Sequence, residues 1–126
     1  MRLSITSRIV SGVVIVDISG RLCFLENGLR EQIDELLQEG HRDFILNMVG
    51  VPYVDSYGLG QLTTVLTSVE GRAGQLILLR PTDHLRTLLH ISRLDTIFQI
   101  SGDECEAVRR AHRSIQTSLV TGSSLP

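Results

Sequence analysis

The sequence predicts an α/β fold: a mixed β-sheet that starts with an antiparallel hairpin, followed by helix–strand alternation with about four helices packed on the sheet. Three observations carry this prediction. Two runs rich in β-branched residues, Leu3–Val10 and Val13–Ile18, flank the short turn Ser11-Gly12, the spacing of a hairpin. Apolar residues then recur at helical offsets, first in Leu29, Ile33, Leu36 and Leu37, then in Leu59, Leu62, Val65, Leu66 and Val69. Short apolar runs, Phe44-Ile45-Leu46 and Leu76-Ile77-Leu78-Leu79, follow each helical stretch.

Each element has its own signals. Ser19-Gly20 is expected to end the second strand. The first helix carries Arg30, Glu31, Asp34, Glu35 and Gln38 opposite its apolar stripe; Asn27 can cap its start and Gly40 can end it. A strand is expected over Asp43–Val49, then a connection from Gly50 to Asp55 that includes Pro52. A second helix should begin near Ser56 and break at Gly71-Arg72-Ala73-Gly74. Leu76–Leu79 reads as a strand buried on both faces. Pro81-Thr82-Asp83 opens a short helix with Leu85, Leu88 and Leu89, and Ile97–Ile100 is a last strand. Asp103–Ile115 reads as a final helix, capped by Ser101 or Asp103. Residues 1–115 form one expected domain; 116–126, rich in Ser, Thr and Gly, form an expected flexible tail. Alternating helices and strands favour parallel pairing with right-handed crossovers, and the hairpin adds the antiparallel part.

Composition excludes several functions. The 126 residues are 42% hydrophobic and 21% charged, with a net charge of -2. That suits one globular domain and lacks the basic footprint of a nucleic-acid binder. No Lys/Arg run suggests an anionic membrane, and no apolar run reaches bilayer length. No signal peptide is visible, so a cytoplasmic location is expected. Cys23 and Cys105 are far apart, match no metal or redox spacing, and read as partly buried thiols. The histidines His41, His84, His90 and His112 form no metal motif. There is no phosphate loop, no GxGxxG after a strand and no GxSxG elbow. Neither cofactor nor metal is expected, and the chain does not read as an enzyme.

One segment remains: Val54-Asp55-Ser56-Tyr57-Gly58-Leu59-Gly60. Ser56 follows a buried strand and opens a helix. On the plainest reading it is an N-cap, its hydroxyl accepting from a free amide, with Gly58 and Gly60 allowing close packing. Yet glycine in a helix costs about 1 kcal/mol relative to alanine. Two of them in the first turn also clear the space around Ser56, so that another protein's active site can reach the hydroxyl. A phosphate there would bring about -1.5 to -2 charges to a helix N-terminus, which tolerates them. A partner complementary to a neutral hydroxyl would not.

With these residues in view, the chain resembles a STAS domain, the module shared by anti-sigma factor antagonists and the cytoplasmic tails of sulfate transporters. The resemblance runs from about Leu3 to Ile115. Its most specific part is Val54–Gly60, similar to the family pattern Asp-Ser-(Ser/Thr)-Gly-Leu-Gly. Gly20-Arg21-Leu22, Leu29-Arg30 and the stretch from Leu88 to Phe98 support it. The resemblance implies an anti-sigma factor antagonist in a partner-switching pathway that regulates sigma-factor-dependent transcription. Ser56 would be phosphorylated by a serine-kinase anti-sigma factor and restored by a metal-dependent serine/threonine phosphatase. Asp55 would orient the hydroxyl or assist recognition, and Gly58, Leu59 and Gly60 would form the docking surface. Tyr57 stands where the family has a small hydroxyl residue, and can hinder a kinase or anchor a partner. Cys23 stands where many antagonists have an acidic residue, in a loop expected near the Ser56 end of the sheet. Two other readings stand beside this one: a STAS interaction subunit of a transport or lipid-trafficking assembly without phosphorylation, and a nucleotide-binding domain using the glycine-rich turn.

Overall fold

A computed structural model describes residues 3–23 and 27–112. The chain runs β1 (Ser4–Val10), β2 (Val13–Leu22), α1 (Gly28–Gln38), β3 (Asp43–Val54), α2 (Ser56–Gly71), β4 (Gln75–Leu79), α3 (Asp83–Ile91), a 3₁₀ turn (Leu94–Thr96) and β5 (Gln99–Ser101). A last helix, α4, occupies 104–112. The five strands lie in the order β1-β2-β3-β4-β5. β1 and β2 are antiparallel, and every later pair is parallel.

This layout follows from local chemistry. Ser11 (φ 52) and Gly12 (φ 81) both take positive φ, the requirement of a two-residue turn whose twist matches the strands. Val10 therefore faces Val13 across the hairpin. Because the strands are added in sequence order by crossovers of one hand, α1, α2 and α3 fall on the same face of the sheet. Side-chain alternation assigns the core accordingly. Val14, Val16, Phe44, Leu46, Leu76 and Leu78 face the three helices and pack with Leu29, Ile33, Leu62, Val65, Leu85 and Leu89. Val13, Ile15, Ile45, Ile77 and Leu79 face the other way and pack against Ala107 and Ala111 of α4. Leu76–Leu79 are all buried, as a central strand requires.

Several boundaries differ from the sequence expectation. β2 does not end at Ser19-Gly20 but continues to Leu22, and β3 continues through Pro52 to Val54. The two extensions pair with each other, Arg21 with Tyr53 and Leu22 with Val54, across two register shifts. β4 stops opposite Asn47, so the end of β3 has no strand partner on that side and tolerates a residue without an N–H. β5 starts two residues later than expected. The amides of Ile97 and Phe98 instead donate to the Leu94 carbonyl (3.0 and 3.1 Å), closing the 3₁₀ turn.

Capping also differs. Asn27 precedes α1 but makes no side-chain cap bond. Gly40 does terminate that helix: it takes φ 103, its amide donates to the Leu37 carbonyl, and His41 donates to Leu36, a Schellman end. Asp103, not Ser101, caps α4, accepting from the Glu106 amide at 2.9 Å. Cys23 is half-buried, but Cys105 is exposed rather than partly buried. The end of the expected final helix (113–115) and the expected tail (116–126) lie outside the described residues. Among the described residues no helix is long and apolar enough to cross a membrane.

Candidate functional site

The paired extensions of β2 and β3 project past the C-terminal end of β4 and deliver the chain to α2. Their ends are tied together. The Asp55 amide donates to the Leu22 carbonyl at 3.3 Å, and Gln61 Nε2 donates to the Cys23 carbonyl at 3.2 Å. Cys23 is thus anchored to the early part of α2, which Ser56 opens.

Ser56 is not the N-cap of α2. Asp55 is: it holds extended backbone (φ -97, ψ -174), and its carboxylate accepts from the Gly58 amide at 2.8 Å. A carboxylate caps as well as a hydroxyl and also complements the helix dipole. Asp55 thereby leaves Ser56 as the first helical residue. Ser56 is exposed, and its hydroxyl makes no hydrogen bond to the described residues.

The two glycines serve different ends. Gly58 is buried, and a Cβ there would run into the Leu22 carbonyl oxygen. It is the contact that lets α2 close on β2, and it contributes nothing to the exposed face. A Cβ on Gly60 would meet open space. Leu59 is half-buried against the main core. Tyr57 is 62% exposed, so it stands beside Ser56 on the surface. The accessible part of the segment is therefore Ser56, Tyr57 and Gly60, with Asp55 holding the turn.

A second group of side chains adjoins it. Arg21 lays its guanidinium 4.4 Å from the ring centre of Tyr53, its cross-strand partner. His84, near the start of α3, stacks on the same ring with centroids 5.6 Å apart and planes 13° apart. The His84 Nε2 lies 3.0 Å from the Val54 carbonyl oxygen. A carbonyl only accepts, so Nε2 carries the proton in this bond. Nothing in the sequence marks Arg21, Tyr53 and His84 as a group. Each looked ordinary alone, and they are separated by up to 63 positions in the chain (84 − 21). Gly20-Arg21-Leu22 was the one legible signal.

Elsewhere, Arg8 bridges two carboxylates, donating through Nε to Asp17 Oδ2 (2.8 Å) and through Nη1 to Glu104 Oε2 (3.1 Å). Asn47 donates to Asp17 Oδ1 at 2.8 Å. The hydrogen bonds from Arg8 hold the carboxyls of Asp17 and Glu104 below the usual carboxylate range, against some desolvation. This cluster ties α4 to the sheet, on the face opposite α2. Among the described residues no group of His, Cys, Asp or Glu is arranged to hold a metal ion.

Comparison with known proteins agrees with this architecture. Residues 4–107 match the STAS domain family. A Thermotoga maritima protein named as a candidate anti-sigma factor antagonist is 29% identical over 80 residues, covering 64% of this chain and 71% of that one. The anti-sigma-B factor antagonist of Staphylococcus aureus is 30% identical over 79 residues, covering 62% of this chain and 73% of its own. The crystal structure of a Thermotoga maritima candidate anti-sigma factor antagonist superposes with a TM-score of 0.78 at 27% identity, covering 85% of this chain and 93% of that one. With its family match, its mixed five-stranded sheet and its three helices on one face, the chain belongs to the STAS domain family.

Proposed function

We propose that this chain is an anti-sigma factor antagonist whose binding to a serine-kinase anti-sigma factor is switched off by phosphorylation of Ser56. The observation that carries this reading is the exposed Ser56, set as the first residue of α2 by the Asp55 cap and flanked by the open position Gly60. The names of the relatives support the partner class.

In this mechanism the chain is a binder and a substrate, not a catalyst. The kinase transfers the γ-phosphoryl group of a nucleoside triphosphate to Ser56 Oγ; the hydroxyl proton is lost and the nucleoside diphosphate leaves. A metal-dependent serine/threonine phosphatase hydrolyses the ester and returns the hydroxyl and inorganic phosphate. Asp55 serves by geometry: engaged with the Gly58 amide, it fixes the helix start and so the direction of Ser56. It is not placed as a base. Tyr57 widens the contact area beside the switch. Phosphate at α2's first turn is compatible with the fold, because the helix dipole favours negative charge there. Within a complex the same charge would be desolvated against a surface complementary to a neutral hydroxyl, and each 1.4 kcal/mol so lost is a factor of ten in affinity.

The test is mass spectrometry of the chain isolated from its native cells, combined with binding to the cognate kinase. Phosphate on Ser56, and loss of binding when it is present, are expected. Phosphate confined to another residue, or binding unaffected by Ser56→Asp, overturns the reading.

A further inference from the structure

We propose that Arg21 is the internal receiver of the phosphate carried by Ser56, so that modification draws the guanidinium off its resting place on Tyr53. This rests on Ser56 being the modified residue.

Three features point to it. First, Arg21 is exposed and makes no ion pair or hydrogen bond with the described residues. Its guanidinium carbon sits over the Tyr53 ring, 4.4 Å from the ring centre. A stacked guanidinium uses its flat face and leaves its edge N–H groups free, and those edges match the oxygens of a phosphate. Second, the platform beneath it is rigid. Tyr53 is held on its strand and stacked with His84, whose Nε2 bonds to the Val54 carbonyl. Third, the register brings the backbone of Arg21 to the strand end from which α2 starts. Arg21 pairs with Tyr53 and Leu22 with Val54. The next residue, Asp55, bonds to the Leu22 carbonyl, and Gly58 presses on that same carbonyl. Ser56 lies between these two contacts, so the end of β2 and the start of α2 cannot drift apart.

Electrostatics favours the transfer. Before modification the one acidic side chain of Val54–Gly60, Asp55, is occupied as the helix cap, and the Arg21 guanidinium carbon sits over an aromatic ring. A dianionic phosphate offers a stronger, charge-assisted pair than that face does. Asp55 opposes the phosphate; Arg21 offsets it. The switch then has two parts: a charge is added at Ser56, and a cation is withdrawn from the surface that an incoming partner would meet.

The experiment uses full-length chain with phosphoserine installed at position 56 during translation. Its ³¹P resonance is titrated at physiological ionic strength. The second phosphate pKa is expected to lie lower in the Arg21 protein than in Arg21→Gln by about half a unit or more, the effect of a nearby opposite charge. Arg30→Gln, which removes an exposed arginine from α1, is expected to leave it unchanged. Equal values for Arg21 and Arg21→Gln, or an equal shift from Arg30→Gln, overturn the proposal. If the glutamine variant does not fold, Arg21→Lys replaces it; loss of the two-pronged fork should still raise the pKa, and an unchanged value overturns the proposal. Because the phosphate is installed without a kinase, this result is independent of whether Ser56 is modified in cells.

Discussion

Position 55 divides labour with position 56. The carboxylate of Asp55 takes the capping bond that serine could have made, and the serine hydroxyl is left exposed, without a hydrogen bond to the described residues. Asp55→Ala should therefore destabilise the chain by about 1 kcal/mol, the usual value of a lost cap, visible as a lower midpoint in chemical denaturation. Ser56→Ala should stay within about 0.5 kcal/mol of the parent, as expected for a surface change away from a cap. The glycines provide a sharper contrast. Gly58→Ala forces a Cβ against the Leu22 carbonyl, which is backbone and cannot yield, so a loss on the order of 1–3 kcal/mol is expected. Gly60→Ala meets open space and should stabilise α2 by up to about 1 kcal/mol. Equal effects of the two alanines in denaturant melts would contradict the packing described for Gly58. The sequence showed both glycines in one motif but could not separate them, because helical spacing says nothing about which backbone lies opposite. Tyr57→Ser should change partner affinity more than thermal stability. A large stability loss with unchanged binding would place Tyr57 in a structural role.

Among the elements, those with strong periodicity were legible and those shaped by neighbours were not. The hairpin, the three crossover helices and the buried β4 follow from residue patterns alone. The ends of β2 and β3 did not, because Gly20, Gly50 and Pro52 read locally as breaks. They remain strand because the two extensions pair with each other where β4 has already stopped. α4 shows a similar dependence. Its sheet-facing positions are the small residues Ala107 and Ala111, so its attachment relies partly on the Arg8–Asp17–Glu104 cluster. Asp17 and Glu104 are shifted below their ordinary values by hydrogen bonds from Arg8. A depressed folded-state pKa stabilises above the unfolded value and loses that contribution as pH falls through the folded value. The contribution is thus complete at neutral pH and fades below about pH 4. Asp43, raised by desolvation, acts with the opposite sign. Since the paired groups are partly exposed, solvent screening limits the cluster to about 1 kcal/mol. Arg8→Gln should lower the melting temperature by a few degrees at pH 7 and by less at pH 3, measured by circular dichroism. An equal loss at both pH values would remove the electrostatic account.

For the whole molecule, the sheet acts as a rigid frame that gathers the ends of β2 and β3 and the starts of α2 and α3 at one edge. Its function is tested there as a unit. Ser56→Ala should bind the cognate kinase whether or not nucleoside triphosphate is present, while Ser56→Asp should bind at least about tenfold more weakly, the consequence of 1.4 kcal/mol. Isothermal titration distinguishes these outcomes. By itself the sequence determined the α/β class, the order of elements, the family resemblance and the position of the serine motif. These depend on periodicity and short-range spacing, which one chain displays directly. Only the tertiary structure decided that Asp55 rather than Ser56 is the cap, that Gly58 is a packing contact while Gly60 is open, and that Arg21, Tyr53 and His84 meet beside the motif. Each of those depends on which backbone and side chains from distant parts of the chain come to lie opposite one another, and that is set by strand register and helix crossover rather than by local pattern.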